Sequence, residues 1–288
     1  MTSLDQALAR ALGSEPRNSR AVGGGDINDA AVVTLEDGRR VFVKTNARAP
    51  RSMFPAEARG LSWLGEADVL RVPRVLAVSA PLGEGPSFLA LELIEPGGRI
   101  SDFDDRLGRG LAELHRAGPG TFGLDYDNFI GSLPQDNEPR DDWPTFYRDR
   151  RLEPQLRMAS DRGLASPALR QGFRALFAVL EERVGPPEPP ARLHGDLWGG
   201  NLHVDERGEP CLIDPAVYGG HREMDLAMMR LFGGFGPRVF AAYDEAWPLS
   251  AGSRERIPLY QLYPLMVHVN LFGGGYVASV ESALRKLV

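Results

Sequence analysis

The strongest constraint on the fold is a change of pattern at "EPGGR", residues 95–99. Ahead of it the apolar residues come in short strand-like runs; beyond it they follow the spacing of helices. Strands first and helices afterwards imply an α+β fold, not an alternating βα one. The stretch "AVGGGDINDAAVVTLEDGRRVFVKT" reads as a strand, a glycine turn, a strand over 30–35, an "EDG" hairpin turn and a strand over 40–45. A helix over about 55–65, an extended "VPRVLAVSA", a turn "PLGEGP" and a strand "SFLALELI" complete this part. Helices are expected in "FDDRLGRGLAELHRAG", "TFYRDRRLEPQLRMAS" and "PALRQGFRALFAVLEERV", and over about 223–231, 237–247, 254–272 and 275–287. Since Pro and Gly end strands, the expected division is 1–94, an antiparallel sheet with one helix, and 95–288, mainly helical. Residues 119–142 have no clear period, and a loop this long in a compact domain is usually functional.

Charge and composition narrow the partners. A net charge of −6 with no basic footprint argues against nucleic acid or an anionic membrane. No run approaches the ~18 apolar residues of a membrane span, and the N-terminus lacks the apolar core of a signal peptide. Cys211 is the single cysteine, so no disulfide can form within the chain. The expectation is a reduced, cytoplasmic protein. Of 33 basic residues only Lys44 and Lys286 are lysines. Lys44 ends the run "RRVFVKT", where a compact point charge suits phosphate.

The stretch "LHGDLWGGNLHV", residues 193–204, followed by "CLIDP", supplies Asp196, Asn201 and Asp214. Two acids and an amide on turns suit a hard cation beside a reacting oxygen, with substrate phosphates completing the shell. In that arrangement Asp196 takes a proton from a hydroxyl, while Asn201 and Asp214 hold Mg²⁺. The glycines let backbone approach a ligand closely. His203 and His221 lack metal-ligand spacing with any Cys or carboxylate pair, so no zinc site is expected.

This spacing resembles the protein-kinase catalytic loop H-R-D-x-x-x-x-N followed by D-F-G, with Gly195 in place of the Arg and "IDP" in place of D-F-G. Those departures resemble the aminoglycoside-phosphotransferase branch of the kinase-like fold. Within it, "HGDLWGGN" with "GHREMDLAM" at 220–228 is similar to the fructosamine kinases, or ketosamine 3-kinases. The likeness extends to "GGGDIN" at 23–28, "FPAEARGL" at 54–61, "DNFIGSLPQDN" at 127–137 and "WPTFYRDRRLEPQL" at 143–156. It runs from about Gly23 to Tyr276.

The resemblance implies a two-lobed protein-kinase-like fold, with nucleotide bound by residues 1–94 and substrate and catalytic loop in residues 95–288. It implies ATP and Mg²⁺ as cofactors. Gly23, Gly24 and Gly25 would cover phosphates; Lys44 would hold them, fixed by Glu57; backbone groups of Glu92, Leu93 and Ile94 would bond adenine. Asp225 would buttress the catalytic loop and His194 would be structural behind it. The amides and aromatic faces of Asn128, Gln135, Asn137, Trp143 and Tyr147, with Gly131, suit a sugar, and Trp198 is placed to stack on one. The implied acceptor is the 3-hydroxyl of a ketosamine, free or on a glycated protein, which makes the activity deglycating. Some relatives carry a Cys in the glycine-rich loop that links chains; this chain has none there. The competing readings are an aminoglycoside, choline or homoserine kinase of the same fold, and a non-catalytic nucleotide-binding pseudokinase. A protein kinase fits poorly: only 74 residues follow Asp214, with no "APE" element.

Overall fold

The computed structural model describes residues 2–23, 27–80 and 85–288. Most of the expected "PLGEGP" turn lies outside the described residues. Helix α1 (Ser3–Leu12) begins with a capping box, in which the Thr2 hydroxyl accepts from the Asp5 amide and Asp5 accepts from the Thr2 amide. Strands β1 (Pro16–Val22), β2 (Asp29–Leu35), β3 (Arg40–Thr45), β4 (Val75–Val78) and β5 (Phe88–Glu92) form one antiparallel sheet, ordered β1-β2-β3-β5-β4. Helix α2 (Met53–Gly65) joins β3 to β4.

Alternation along β3 and β5 divides the core in two. Val41, Val43, Phe88 and Ala90 pack with Leu8 and Leu12 of α1. Phe42, Leu89 and Leu91 turn the other way, against Phe54, Ala58 and Leu61 of α2. The sheet therefore carries two helices, and the N-terminal one, α1, is part of this core. Each fully buried large side chain contributes about 1.5–3 kcal/mol.

The rest of the chain is helical with short strand pairs. In order come α3 (Phe103–Arg116), the hairpin β6 (Asn128–Ile130) and β7 (Leu133–Gln135), and α4 (Trp143–Phe146). A π-helical turn, Tyr147–Leu152, leads into α5 (Glu153–Asp161), then α6 (Pro167–Arg183). Strands β8 (Ala191–Leu193), β9 (Leu202–Val204), β10 (Pro210–Leu212) and β11 (Tyr218–Gly220) precede α7 (Glu223–Phe232) and α8 (Pro237–Ala246). Helix α9 (Ser253–Phe272), largely buried and packed by α5, α7 and α10 (Val277–Leu284), centres this region. No helix among the described residues is long and apolar enough to cross a membrane.

The chain divides into two compact units: Met1–Phe103 with Leu202–Pro215, and Asp104–Asn201 with Ala216–Val288. The first unit thus reaches past residue 94 and takes in the β9–β10 hairpin. The cause is close backbone contact along "EPGGR". The Gly97 amide donates to Val204 O at 3.2 Å and the Ile100 amide to Gly208 O at 3.3 Å. A Cβ on Gly97 would stand 2.1 Å from Asp205 O, so only glycine permits this approach.

Candidate active site

Within the first unit, β3 ends by turning Lys44 into a buried position, where register pairs it with Ala30 of β2 and Leu89 of β5. Its ammonium lies 2.8 Å from Glu57 Oε1 on α2 and 2.5 Å from Asp214 Oδ1. Burial works against the charge, but the two carboxylates outweigh it and the Lys44 pKa is raised. Glu57 is pushed up by burial and by Asp214, with Lys44 opposing. Asp214 follows β10 at a left-handed φ of 54°, a conformation Asp tolerates better than most residues. Its side chain is 40% exposed, and Lys44 anchors one of its carboxylate oxygens.

The other expected nucleotide contacts lie on the same unit. Gly23 directly follows β1, and a Cβ there would meet nothing within 4 Å; Gly24 and Gly25 lie outside the described residues. The Glu92 amide already donates to Arg74 O at 2.9 Å, and its carboxylate is taken by Arg71 and Arg74. Leu93 and Ile94, expected with Glu92 at the adenine edge, follow directly on the end of β5.

Within the second unit the catalytic-loop motif is held from behind. Antiparallel pairing of β8 with β11 delivers His194, whose carbonyl accepts from the Ala216 amide. Gly195 has a φ of 81°, and a Cβ there would stand 2.0 Å from Ala216 O. An Arg at this position is excluded by the backbone. Asp225, buried on α7, accepts from the His194 amide at 2.8 Å and the Gly195 amide at 2.9 Å. Burial would raise its pKa, but the His115 hydrogen bond and charge, His194 and the Gly195 amide outweigh this and hold it below the usual range. His115 bonds Asp225 and Tyr243 as a core residue, and His194 Nδ1 accepts from the Asp196 amide at 3.3 Å.

Asp196 is half-buried and lines a small hollow of about 20 Å³ together with Tyr218, Met228 and Tyr263. The Asn201 amide donates to Asp196 O at 2.8 Å and Oδ2 at 3.2 Å, which fixes the turn and orients the carboxamide. Between them Gly199 touches Gly233 and Gly234, its would-be Cβ 2.9 Å from Gly234 Cα. A Cβ on Gly200 would strike the Trp198 indole at 2.3 Å, so that ring lies over bare backbone with 42% of its surface exposed. The empty space between Asp196 and Asn201 is thus filled by neighbouring backbone and one indole.

Asp225→Asn follows directly as a test. An amide cannot accept from both backbone N–H groups, so stability should fall by about 3–5 kcal/mol, measured by urea unfolding at pH 7. The wild-type pKa is depressed, so its contribution is present above the unfolded carboxyl value and is lost as pH falls through the folded one. The gap between variant and wild type should accordingly shrink in acid.

The fructosamine kinase family model matches residues 1–288. The chain belongs to the fructosamine kinase family. It is 39% identical over 272 residues to a probable ketoamine kinase of Synechocystis sp., covering 93% of this chain and 89% of that one. It is 40% identical over 268 residues to a chloroplastic protein-ribulosamine 3-kinase of Arabidopsis thaliana, covering 92% of this chain and 80% of that one. A crystal structure from Thermobifida fusca, described as a candidate fructosamine-3-kinase, superposes with a TM-score of 0.89 at 39% identity, covering 100% of this chain and 99% of that one. The fold is protein-kinase-like, and the chain is an ATP-dependent phosphotransferase.

In this fructosamine kinase family member the polar side chains expected at the sugar turn inward. Asn128, Gln135 and Asn137 are buried and spend their amides on one another and on the backbone. Asn128 donates to Val217 O and accepts from both Gln135 and Asn137; Gln135 also donates to Ala216 O and accepts from Tyr263. Asn137 accepts from the buried guanidinium of Arg151, which the π-helical turn aims inward beneath the Tyr218 ring. Trp143 and Tyr147 stack in the core, with the Tyr147 hydroxyl donating to Leu259 O, and Gly131 makes the β6–β7 turn at a φ of 60°. This network holds residues 216–217, the segment packed against Gly195. Of the proposed sugar contacts Trp198 alone is exposed. Sequence reasoning missed Arg151, since nothing separates it from the other arginines of "FYRDRRL".

Proposed function

We propose that this chain phosphorylates the 3-hydroxyl of ketosamines, sugar adducts of free amines or of glycated proteins, using ATP and Mg²⁺. Breakdown of the phosphorylated adduct would then release the amine, a deglycating repair. The observation that carries the reading is Asp196, fixed by Asn201 in a turn that Asp225 holds through the backbone. The names of relatives, ketoamine kinase and protein-ribulosamine 3-kinase, support the acceptor class.

The donor set fits the cofactor. Among the described residues no group of three or more His, Cys, Asp or Glu could hold a metal alone. The oxygens of Asp214 and Asn201 suit a hard cation that arrives with phosphate ligands. When bound, the nucleotide and its metal supply the phosphoryl group and neutralise its charge. Asp196 would orient the acceptor hydroxyl and take its proton as that oxygen bonds the transferred phosphorus and the bond to the departing ADP breaks. Lys44 places a fixed cation against phosphate oxygens, and Trp198 offers a face to the sugar. Catalysis then rests on positioning and electrostatics.

The deciding experiment is ADP release with Mg-ATP against fructose-, ribulose- and erythrulose-lysine, beside an aminoglycoside and choline. Turnover with a ketosamine and a product phosphorylated at O3 by NMR is expected; turnover confined to aminoglycoside or choline would move the chain to a different acceptor. Trp198→Ala should raise KM for the ketosamine by roughly three- to tenfold, while KM for ATP stays put.

A further inference from the structure

Arg71 lies between β4 and α2 in the sequence, in "DVLRVPRV", outside every motif considered above. Its guanidinium gathers three carboxylates: Glu92 at the end of β5 at 2.8 Å, and Asp205 at 2.6 Å and Glu206 at 2.8 Å in the β9–β10 turn. Its backbone is committed to the same hairpin, since Arg71 O accepts from the Leu212 amide at 2.8 Å and Arg71 bridges Cys211 in parallel fashion. Asp205 is nearly fully buried and also caps its own turn, accepting from the Arg207 and Glu209 amides. Two residues beyond β10 stands Asp214. All of these residues belong to the first unit.

We propose that Arg71 is a positioning residue for the nucleotide, clamping the hairpin that carries Asp214 to the strand end that leads into Leu93 and Ile94. The inference rests on the nucleotide roles assigned to those residues above. A planar fork can bind carboxylates from two elements at once, which a point charge does less well. Without it, Asp205 and Glu206 face a Glu92 that keeps only Arg74 as a partner, and attraction across the gap gives way to repulsion. The main-chain bond to Leu212 and the Lys44–Asp214 pair would survive, so the hairpin should loosen without detaching. The guanidinium is 26% exposed, so water and salt screen part of the effect.

The test is Arg71→Met, read by binding of a fluorescent ATP analogue and by separate KM values for ATP and ketosamine. Analogue affinity and KM for ATP should worsen about five- to tenfold, with the acceptor KM within about twofold. Adding Glu206→Gln to Arg71→Met removes one of the repelling charges and should restore part of the affinity. Arg71→Lys should fall between wild type and Arg71→Met. A folded Arg71→Met with wild-type analogue affinity, or with both KM values shifted alike, overturns the inference. Should Arg71→Met fail to fold, Arg71→Lys and Glu206→Gln alone carry the same reading, and wild-type affinity in both overturns it. Failure of the unsubstituted chain to bind the analogue would instead overturn the nucleotide roles themselves.

Discussion

Asp196→Asn should lower kcat by about a thousandfold, within the 10²–10⁴ that a positioned general base contributes. The substitution keeps shape and one carbonyl oxygen, so the amide can still accept from Asn201 Nδ2 in place of Oδ2. The loop is also held independently of this carboxylate, since Asp225 accepts from the His194 and Gly195 amides and Asn201 donates to Asp196 O. Folding stability should therefore change little, and nucleotide binding, proposed to draw on Lys44 and Asp214, should persist. Single-turnover kinetics with the ketosamine and titration with an ATP analogue separate the two. Near-normal turnover would remove Asp196 as the base. Loss of analogue binding along with turnover would mean the substitution had disturbed more than proton transfer.

The catalytic-loop glycines are expected to bring backbone close to a ligand, whereas the structure sets Gly195, Gly199 and Gly200 against Ala216, Gly234 and Trp198 of the protein itself. Gly195 must adopt a left-handed φ against Ala216 O, and no side chain can follow it there. Alternation in "RVFVKT" and "FLALE" placed β3 and the core of β5, because each face of the sheet buries every second residue. What the sequence did not disclose lies in partners far apart along the chain. An Asn or Gln in an aperiodic loop looks the same whether it faces water or another amide. For Asn128 and Gln135 the decision falls to Val217, Ala216 and Tyr263, 81 to 128 residues away. "EPGGR" carries a similar ambiguity. Its Pro and Gly do end the strand, but Gly97 also permits backbone to lie against Asp205, which joins the β9–β10 hairpin to the first unit. The helix expected in "TFYRDRRLEPQLRMAS" contains a π-helical turn at Tyr147–Leu152, which apolar spacing does not separate from an α-helix because the two differ by only a residue.

Lys44→Met should lower kcat/KM for ATP by about a hundredfold or more, the scale of losing one fixed charge-stabilising donor at a reacting phosphoryl group. The methionine can fill the buried space, yet it leaves Glu57 facing Asp214 with no cation between them. Glu57 is the group that must respond, because burial and then Asp214 already push its pKa up, and Lys44 is what opposes them. In the variant it should bind a proton and become neutral, which limits the penalty below the roughly 3–5 kcal/mol of a broken buried pair. A folded pKa above the unfolded value means the native state holds more protons than the unfolded one between the two values. Stability of the variant should therefore fall as pH rises through that interval. The wild-type Glu57 pKa is itself raised, so its contribution falls with pH in the same sense but over a narrower interval, because Lys44 opposes the shift. The Lys44 contribution is whole below the unfolded lysine value and is lost only as pH climbs through the folded one. Urea unfolding of both proteins at pH 5.5 and 8, with ATP kinetics at each, tests the two halves together. An unchanged kcat/KM for ATP would contradict the phosphate role of Lys44, and a variant equally stable at both pH values would show that Glu57 does not take up the proton.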